Sequence, residues 1–354
     1  MARHYDWQPI FDRQTGSQGE VACVVGAKGI GKTFGLRLRC MEERQRKGYS
    51  FVEICRSEEE AKLISVGYAD KLQQEGFFPG LRFKTESKVL YQSREPFDED
   101  DNPEWEPCVY FVALTKFQTE KKRTYSNLRR FIFDEFIIDR KDRYHQYLPS
   151  EYLILANLVD TITREQPGGT PFYRLYMLGN ACDLTCPHLR AMGVNDVPNY
   201  GYHWYNDKHT LLHYVEPWDA EERQRETLAG RMLAGNDEAR LVYQNKFVSG
   251  YVGDICKKPS NARYAFGLRY KKQVFGVWID RKNGYFHITG HVPRGSKNVH
   301  ALTKSDMTVS YKAIEKTAPI LKILNNGYYA GLLRYENALV KELFLTVLDY
   351  LGIR

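Results

Sequence analysis

The sequence predicts an α/β protein with two compact parts joined by a linker, and three observations support this. Short apolar runs alternate with helical patterns from residue 1 to about residue 207, as in a sheet whose strands are joined by helices. A charged helical stretch with two glycines follows at 219–237. Closely spaced strand patterns predominate from about residue 248, before two helical patterns end the chain. We therefore predict a first domain at 1–207, a small helical linker subdomain at 208–247, and a C-terminal α+β domain at 248–354.

The elements of the first domain follow from its apolar runs. Residues 21–25, V-A-C-V-V, form a buried strand that leads into a glycine-rich loop, and a helix over 33–44 opens on that loop. A second strand at 51–55 precedes a helix that Ser57 caps, with acidic residues in its first turn. Further elements are predicted in the same way, as strands near 81–92, 108–114, 131–134 and 174–178 and a helix around 150–164.

The second domain begins with a predicted antiparallel meander. Its strands are Y-A-F-G-L-R-Y, Q-V-F-G-V-W-I-D and Y-F-H-I-T, and residues 280–284 form a tight turn between the last two. Two helical patterns close the chain, one over 311–324 that Pro319 breaks and one over 336–351.

Composition and charge restrict the class of protein. No apolar stretch approaches the roughly 18 residues of a membrane-spanning helix, and the first ten residues lack the apolar core of a signal peptide, so we predict an intracellular protein with no membrane segment. The seven cysteines follow no pairing pattern, which favours reduced thiols. The formal charge of +7 is unevenly distributed: residues 250–354 contain 17 Lys and Arg against 7 Asp and Glu. The C-terminal domain is therefore predicted to be the basic one.

Residues 26–33 read G-A-K-G-I-G-K-T, the pattern of a phosphate-binding loop. Glycines let backbone N–H groups turn inward toward a phosphate, and the loop lies between a predicted strand and a predicted helix, as the motif requires. Lys32 is predicted to pair with the β- and γ-phosphates, and Thr33 to place its hydroxyl on Mg²⁺. The predicted nucleotide-binding residues are Gly26, Ala27, Lys28, Gly29, Ile30, Gly31, Lys32 and Thr33.

The acidic half of this site is predicted in F-I-F-D-E-F, about a hundred residues later. Asp134 ends an apolar strand, where a carboxylate can approach the Mg²⁺. Glu135 can orient and deprotonate an attacking water, which indicates hydrolysis rather than transfer to a small acceptor. Because the guanine-specific pattern N-K-x-D is absent from the sequence, ATP is the expected nucleotide.

Two further polar residues fit this chemistry. Asn180, after R-L-Y-M-L-G, could contact the γ-phosphate, although a turn asparagine would look the same. Arg164, at the end of the predicted helix before that strand, could stabilise transition-state charge in a neighbouring subunit, and Arg56 competes for such a role. Near the N-terminus, Trp7, Phe11 and Arg13 could flank adenine, but core packing is the better interpretation of the two aromatic residues.

The chain resembles the genome-packaging motor ATPases of phi29-type tailed bacteriophages, because it carries in order G-A-K-G-I-G-K-T, F-I-F-D-E-F, L-V-D-T-I-T-R and L-G-N-A. The first two motifs are general to P-loop ATPases of the additional-strand, catalytic-glutamate type. The resemblance continues through F-G-V-W-I-D, S-K-N-V-H-A-L-T and N-G-Y-Y-A-G-L-L-R-Y-E-N, so it covers nearly the whole chain.

That resemblance implies a homo-oligomeric ring, usually described as pentameric, that docks on the portal of an empty procapsid and drives double-stranded DNA inward with ATP and Mg²⁺. It implies a motor domain followed by an RNase H-like domain that is a vestigial nuclease, and it places a trans-acting arginine finger at Arg164. Members of the family also engage a structural prohead RNA. The implied location is the cytoplasm of an infected bacterial host, with transient attachment to the procapsid.

Whether the C-terminal domain cuts DNA depends on its carboxylates. Two-metal cleavage needs several converging acids, and the predicted strand over 264–270 carries none, while Asp280 ends the next strand at its turn. Basic residues on turns and strands could instead meet DNA phosphates without reading bases, or form a solvated or capsid-docking face. The predicted DNA contacts are Lys257, Lys258, Arg269, Lys271, Lys272, Arg281 and Lys282. Two alternatives stay open: a terminase-like packaging ATPase with an active nuclease domain, and a non-enzymatic assembly factor that uses ATP as a structural switch.

Overall fold

The chain divides into two compact units, one formed by residues 1–193 and 198–248 and the other by residues 194–197 and 249–354. The structure is a computed structural model that describes residues 5–15, 19–94, 103–120, 122–138, 146–164, 173–182, 184, 186–217, 228–232, 254–308, 312–313 and 319–353. Most of the predicted linker subdomain lies outside these residues, as do residues 95–102 between the predicted strands near 81–92 and 108–114. None of the described helices is long and apolar enough to cross a membrane.

The first unit is built on a nine-stranded sheet. Its strands, in chain order, are β1 (Val21–Val25), β2 (Ser50–Cys55), β3 (Leu81–Glu86), β4 (Val89–Arg94), β5 (Glu106–Ala113), β6 (Leu128–Phe133), β7 (Arg174–Gly179), β8 (Gly201–Tyr205) and β9 (Thr210–Tyr214). All six residues of β2 and the last six of β5 are buried, as expected for parallel strands covered on both faces. The one long strand predicted near 81–92 is wrong, because this segment forms the hairpin β3–β4.

The strand order of this sheet is β3-β4-β5-β2-β6-β7-β1-β9-β8. The six strands from β5 to β9 run parallel, and both edges are antiparallel additions. Residue 207, the predicted end of the first domain, lies in the turn of the hairpin β8–β9. Because β9 pairs with β1, the sheet continues seven residues beyond that predicted boundary.

Helices connect the strands of the first unit. They are α1 (Gln8–Gln14), α2 (Lys32–Lys47), α3 (Glu58–Gln74), α4 (Phe117–Glu120), α5 (Glu151–Arg164), α6 (Pro187–Ala191) and α7 (Leu228–Met232). Ser57 caps α3 as predicted: its side chain accepts a hydrogen bond from the N–H of Glu60, and the Glu60 carboxylate accepts one from the N–H of Ser57. Aromatic and aliphatic side chains from β1, β2, β5 and β7 pack with those of α2 and α3 in one core.

The second unit contains a six-stranded sheet with the order β14-β13-β10-β11-β12-β15. The strands are β10 (Arg263–Tyr270), β11 (Gln273–Asp280), β12 (Tyr285–Thr289), β13 (Val299–Ala301), β14 (Lys312–Ala313) and β15 (Leu333–Tyr335). Strands β10, β11 and β12 form the predicted antiparallel meander, and β13 and β15 pair in parallel with its two edges. A core that includes Phe266, Val277 and Phe344 lies between this sheet and the C-terminal helix.

The two helices of the second unit are α8 (Pro319–Tyr329) and α9 (Ala338–Tyr350). The helix predicted over 311–324 is wrong in its first part, because Lys312–Ala313 forms the short strand β14. Pro319 is the first described residue of α8, and a proline suits the first turn of a helix because it needs no N–H partner there and its φ is already helical. Residues 314–318, where the predicted helix would meet Pro319, lie outside the described residues. At α9 the Asn337 side chain accepts a hydrogen bond from the N–H of Val340.

Candidate functional site

The phosphate-binding loop connects β1 to α2, where the sequence placed it. Gly29 and Gly31 both have left-handed backbone conformations, with φ of 81° and 75°, which glycine adopts without steric cost. Gly31 caps α2, so the loop delivers the first N–H groups of a 16-residue helix to the point where the strand ends. Free N–H groups and the positive end of a helix dipole together favour an anion at this position.

Lys32 is the first residue of α2 and its side chain folds back over the loop. Its ammonium group donates to the carbonyl oxygens of Gly26 at 2.8 Å and Ala27 at 2.9 Å, and to Asn180 Oδ1 at 3.1 Å. Lys32 is only 8% exposed, so the ammonium is held in place close to the loop. These three contacts bring together two of the predicted site segments, which lie nearly 150 residues apart in the chain.

Thr33 and Asp134 are also in direct contact. The Thr33 hydroxyl donates to Asp134 Oδ2 at 2.7 Å. Asp134 follows β6, Asn180 follows β7 and the loop follows β1, and these three strands are neighbours in the sheet. The carboxyl ends of adjacent parallel strands meet at one edge, which is where such sheets bind ligands.

Glu135 lies beside Asp134 in an unusual backbone conformation. Its φ of 51° is in the left-handed region, which few residues other than glycine occupy. Its N–H donates to Asp134 Oδ1 at 2.9 Å, and its carbonyl accepts from Arg56 Nη1 at 2.8 Å. The Glu135 peptide is therefore fixed on both sides, next to the residues that contact the loop.

Arg56, a sequence candidate for stabilising transition-state charge, is already bound to groups of its own unit. Its guanidinium donates to the carbonyls of Glu135 and Phe136 and forms an ion pair with Glu151 at 3.1 Å. The cation lies over the ring of Phe133, with 5.0 Å between its carbon and the ring centroid. These contacts assign Arg56 a structural role, because it holds the backbone that follows β6.

Glu151 and His188 belong to the same group of contacts around Arg56, and sequence reasoning did not identify either residue. Both side chains are completely buried, and His188 Nε2 lies 2.9 Å from Glu151 Oε1. The sequence presents Glu151 as an ordinary acid in the first turn of a helix and His188 as a histidine near Cys186. Nothing in their spacing signals burial, since α5 and α6 bring them together from 37 residues apart.

Arg164 is the last residue of α5 and lies at the surface, with 74% of its side chain exposed. It pairs with Asp160, one turn earlier on the same helix, and this ion pair raises the pKa of Arg164 and lowers that of Asp160. Within the described residues, no contact joins Arg164 to the loop of its own chain. The structure therefore does not bring Arg164 together with the other predicted site residues in one subunit.

The N-terminal aromatic residues pack against the loop and its helix. Trp7 is 4% exposed and its Nε1–H donates to the carbonyl of Lys32 at 3.0 Å, while the N–H of Tyr5 donates to the carbonyl of Ile30. Arg13 instead stacks on Tyr202, at 3.7 Å from the ring centroid. Core packing, the preferred interpretation of Trp7, is confirmed.

In the second unit the predicted DNA contacts fall at two places. Lys271 and Lys272 form the β10–β11 turn, whereas Arg281 and Lys282 form the β11–β12 turn at the opposite end of β11. Eight residues of strand separate these turns, a span of about 26 Å. Lys258 lies with Arg281 at the second place, near the end of β11, because its ammonium is 4.4 Å from the ring centroid of Trp278. The seven basic residues therefore form no single cluster.

Asp280, the candidate acid of the second unit, and Asp306 both accept hydrogen bonds from the backbone of turns. Asp280 accepts hydrogen bonds from the N–H groups of Lys282 and Asn283, and Asp306 accepts from those of Lys271 and Lys272. Strand β10 carries no acidic residue. Among the described residues, no group of three or more His, Cys, Asp or Glu side chains is arranged to hold a metal ion.

Relatives of this chain match it along nearly its whole length. A family model described as podovirus DNA encapsidation protein (Gp16) matches residues 13–350. The chain is 28% identical over 329 residues to the DNA packaging protein of Bacillus phage B103, covering 90% of this chain and 94% of that protein. It is 25% identical over 323 residues to the DNA packaging protein of Bacillus phage phi29, covering 90% of each.

A solved structure shares the fold over the full length. The chain from the bacteriophage phi29 viral genome packaging motor assembly superposes with a TM-score of 0.69 at 21% identity, covering 99% of this chain and 100% of that one. The similarity in sequence is therefore matched by a similarity in fold.

Proposed function

The chain belongs to the podovirus DNA encapsidation protein family, and on that basis we propose that it hydrolyses ATP to drive double-stranded DNA into a viral procapsid. The observation that carries the proposal is the meeting of Lys32, Thr33, Asp134 and Asn180 at the carboxyl ends of three adjacent parallel strands. A cation, a hydroxyl, a carboxylate and an amide at a helix N-terminus suit a nucleoside triphosphate with its metal ion.

The residues of the loop bind the nucleotide in this proposal. The backbone N–H groups of residues 26–33 receive the phosphates, and Lys32 exchanges its present carbonyl partners for the β- and γ-phosphate oxygens. Asn180 already contacts the Lys32 ammonium, so it is placed to sense the γ-phosphate through the same group.

The pair of Thr33 and Asp134 fits Mg²⁺. Their side-chain oxygens are 2.7 Å apart, and hydroxyl and carboxylate oxygens are the ligands this ion prefers. Bound there with ATP, Mg²⁺ would neutralise charge on the β- and γ-phosphate oxygens. Thr33 provides the hydroxyl and Asp134 the nearby carboxylate.

Glu135 is the proposed general base. It follows Asp134 directly at the strand end, where its carboxylate can orient a water molecule and accept its proton. Arg164 is the proposed arginine finger for the neighbouring subunit, since its exposure and its surface ion pair leave it accessible to another chain. Both are catalytic residues in this proposal, one in each of two adjacent subunits.

The two sheets support a finer description of the fold. Strand β7 lies between β1, which carries the loop, and β6, which carries the acids, and this order supports an additional-strand, catalytic-glutamate ATPase as the motor domain. The order β12-β11-β10-β13-β14, with an antiparallel meander and parallel additions, supports an RNase H-like second domain. We propose a motor domain that includes β8 and β9, followed by a linker subdomain and by a vestigial nuclease domain that begins near residue 248 as predicted.

The assembly is proposed on the family relationship. Subunits form a ring, with five members as the expected number, on the portal of an empty procapsid in the host cytoplasm, and a structural prohead RNA is a further candidate partner. Double-stranded DNA is the load, and the basic residues of the second unit are its proposed phosphate contacts. Contacts of this kind are independent of base sequence, as a motor that moves any DNA requires.

The nuclease alternative has little support from the described acids. A two-metal site needs carboxylates converging on the central strand, yet β10 has none, and Asp280 and Asp306 are engaged by backbone N–H groups of turns. Incubation with plasmid and Mn²⁺ tests this alternative, because cleavage that Asp280→Asn abolishes would establish it.

The main test is packaging with purified empty capsids. Protein, capsids, linear double-stranded DNA and ATP are mixed, nuclease is added, and the protected DNA is measured. We expect full-length protected DNA with ATP and none with Lys32→Ala protein. ATP hydrolysis without any protected DNA would overturn translocation, and a wild-type protein that binds ATP without turnover would favour the structural-switch alternative.

A further inference from the structure

We propose that Glu151 and His188 are positioning residues for ATP hydrolysis, because together they hold the Arg56 guanidinium that fixes the Glu135 peptide. This inference rests on the proposed function, since it assigns the support of the proposed general base. It concerns a buried cluster defined by Arg56, Glu151 and His188, which we call the anchor cluster. None of these three residues is needed to contact the nucleotide.

The first step is the grip of Arg56 on the backbone after Asp134. Arg56 Nη1 donates to the Glu135 carbonyl at 2.8 Å and Nη2 donates to the Phe136 carbonyl at 3.0 Å. The N–H of Phe136 donates in turn to the carbonyl of Leu178 in β7 at 3.0 Å. The peptide groups of Glu135 and Phe136 are therefore held in place by the Arg56 side chain and by strand β7.

The second step is the conformation that this grip maintains. Glu135 has a left-handed φ of 51°, which is unfavourable for a residue with a side chain relative to right-handed backbone. Such a conformation persists where surrounding contacts determine it, and it commonly occurs at active sites. Releasing the Arg56 contacts would let the Glu135 peptide relax and turn its side chain away from the strand end.

The third step is the orientation of Arg56 itself. Its side chain is 14% exposed, and a guanidinium at such a depth needs a counter-charge with matching geometry. Glu151 supplies it: Arg56 Nε lies 3.2 Å from each carboxylate oxygen and Nη2 lies 3.1 Å from Oε1. Glu151 accepts hydrogen bonds from Nε and from one N–H of Nη2. This orients the guanidinium so that Nη1 and the second N–H of Nη2 donate to the carbonyls of Glu135 and Phe136.

The fourth step is the state of Glu151 and His188. Burial raises the pKa of Glu151, but the His188 hydrogen bond and the Arg56 charge outweigh it, so the pKa lies below its usual range and the carboxyl is ionised. Burial dominates in His188 and lowers its pKa, so the ring is neutral and donates from Nε2 to Glu151. His188 Nδ1 finds no hydrogen-bond partner among the described atoms, which leaves holding Glu151 as the polar role of this ring.

The test compares turnover with nucleotide binding in the full-length protein. Glu151→Gln removes the counter-charge and keeps the shape. We expect kcat for ATP to fall about 10–100-fold, because misplacing a catalytic group by about 1 Å costs on that order. The Kd for ATP, measured by titration with a fluorescent analogue, should stay within about twofold, since no member of the anchor cluster is proposed to contact the phosphates.

Two variants of His188 sharpen the test. His188→Phe fills the space without a donor and should lower kcat, whereas His188→Gln retains an N–H donor and should recover most of it. The matched control is Glu43→Gln, which breaks another buried ion pair, with Arg130, near the far end of α2. That control should lower the thermal unfolding temperature and leave kcat unchanged.

The proposal is overturned if folded Glu151→Gln protein keeps wild-type kcat, or if kcat and ATP affinity fall together as in general unfolding. Should Glu151→Gln not fold, Arg56→Lys and His188→Phe decide by the same criterion, because lysine keeps the charge but cannot bridge carboxylate and carbonyls. Failure of the proposed function looks different: the wild-type protein itself would not hydrolyse ATP.

Discussion

The two sheets of this protein place their polar residues in opposite ways. In the first unit, residues from three distant segments meet at one edge, with Lys32 touching Asn180 and Thr33 touching Asp134. In the second unit, basic residues only ten positions apart, Lys271 and Arg281, lie at opposite ends of one strand. The difference comes from strand direction, because parallel strands share a carboxyl edge while each antiparallel turn reverses the chain.

This contrast fits two tasks. Chemistry on one phosphate needs groups within a few ångströms, which the parallel edge provides. Contact with a long polyanion needs only positive charge distributed along a surface, which two separated turns can supply. Substitutions of the residues that meet at the parallel edge should therefore have large effects on turnover, and substitutions of the basic turns in the second unit should have small, additive effects on DNA binding.

The largest expected effect is from Arg164→Ala. Removal of an arginine finger lowers phosphoryl-transfer rates by about 10³–10⁵-fold, and ATP binding should persist because Arg164 contacts no loop residue of its own chain among the described residues. The matched control is Arg46→Ala, which removes another exposed arginine paired with an acid one turn earlier. Steady-state ATP hydrolysis measures both.

Mixed rings test whether Arg164 acts between subunits. Arg164→Ala protein retains an intact loop, and Lys32→Ala protein retains an intact finger, so mixing them should restore part of the hydrolysis. An absence of recovery at every mixing ratio would assign Arg164 to another role.

Glu135→Gln should have the next largest effect. Removing a general base costs about 10²–10⁴-fold in kcat, while the isosteric amide leaves the loop and the Mg²⁺ residues in place. ATP affinity should be retained, and an exposed acid on α3 serves as the control in Glu59→Gln. Turnover near the wild-type rate would remove Glu135 from the role of base.

A smaller effect is expected from the second unit. Lys271→Ala with Lys272→Ala, and separately Arg281→Ala with Lys282→Ala, should each weaken DNA binding and reduce the slope of log affinity against log salt by about 0.9 for each phosphate that is no longer neutralised. Equal effects would indicate DNA that spans β11, and an effect from one pair alone would confine DNA to one end. If both pairs match the control Lys322→Ala on α8, this surface does not bind DNA.

The smallest expected effect is on the stability of the β10–β11 turn. Asp306→Ala leaves the N–H groups of Lys271 and Lys272 without their acceptor, which should cost about 1–3 kcal/mol of unfolding free energy. Asp306→Asn keeps one acceptor and should cost less. Urea unfolding of the full chain gives both values.

The difference in unfolding free energy between wild type and Asp306→Ala should depend on pH, and the direction of that dependence follows from the pKa of Asp306. Burial raises the pKa of Asp306, but hydrogen bonds from Thr303 and from the turn outweigh it, so the folded pKa lies below the unfolded value of 3.8. The charge-dependent stability is therefore complete above about pH 4 and disappears as the pH falls through the folded pKa. A gap between wild type and Asp306→Ala that widens in acid would contradict this.

Sequence reasoning succeeded where a feature is local. The loop over 26–33, the cap at Ser57 and the meander of the second unit each depend on neighbouring residues, and the structure confirms all three. It failed at residues 312–313, where the start of a predicted helix forms the short strand β14.

Features that depend on tertiary contact could not be predicted. The ion pair of Arg56 with Glu151 joins residues 95 positions apart, and its strength depends on a burial that neither segment reveals. The hairpin β8–β9 was missed because its pairing with β1 decides its place, while its own sequence has weak alternation.

Helix α5 connects the anchor cluster to the proposed finger. Its first residue, Glu151, is wholly buried in the anchor cluster, and its last, Arg164, is 74% exposed. Arg164 is thirteen residues after Glu151, and at about 100° per residue it lies roughly 140° around the helix axis from Glu151. The two residues are about 20 Å apart along that axis. One inserted or deleted residue would therefore turn Arg164 by about 100° relative to Glu151. Seven residues would restore the angle to within about 20° but would change the distance between the two residues along the axis by about 10 Å. Length and rotation together set where the finger points, so this helix tolerates substitution on its surface far better than any change in its number of residues.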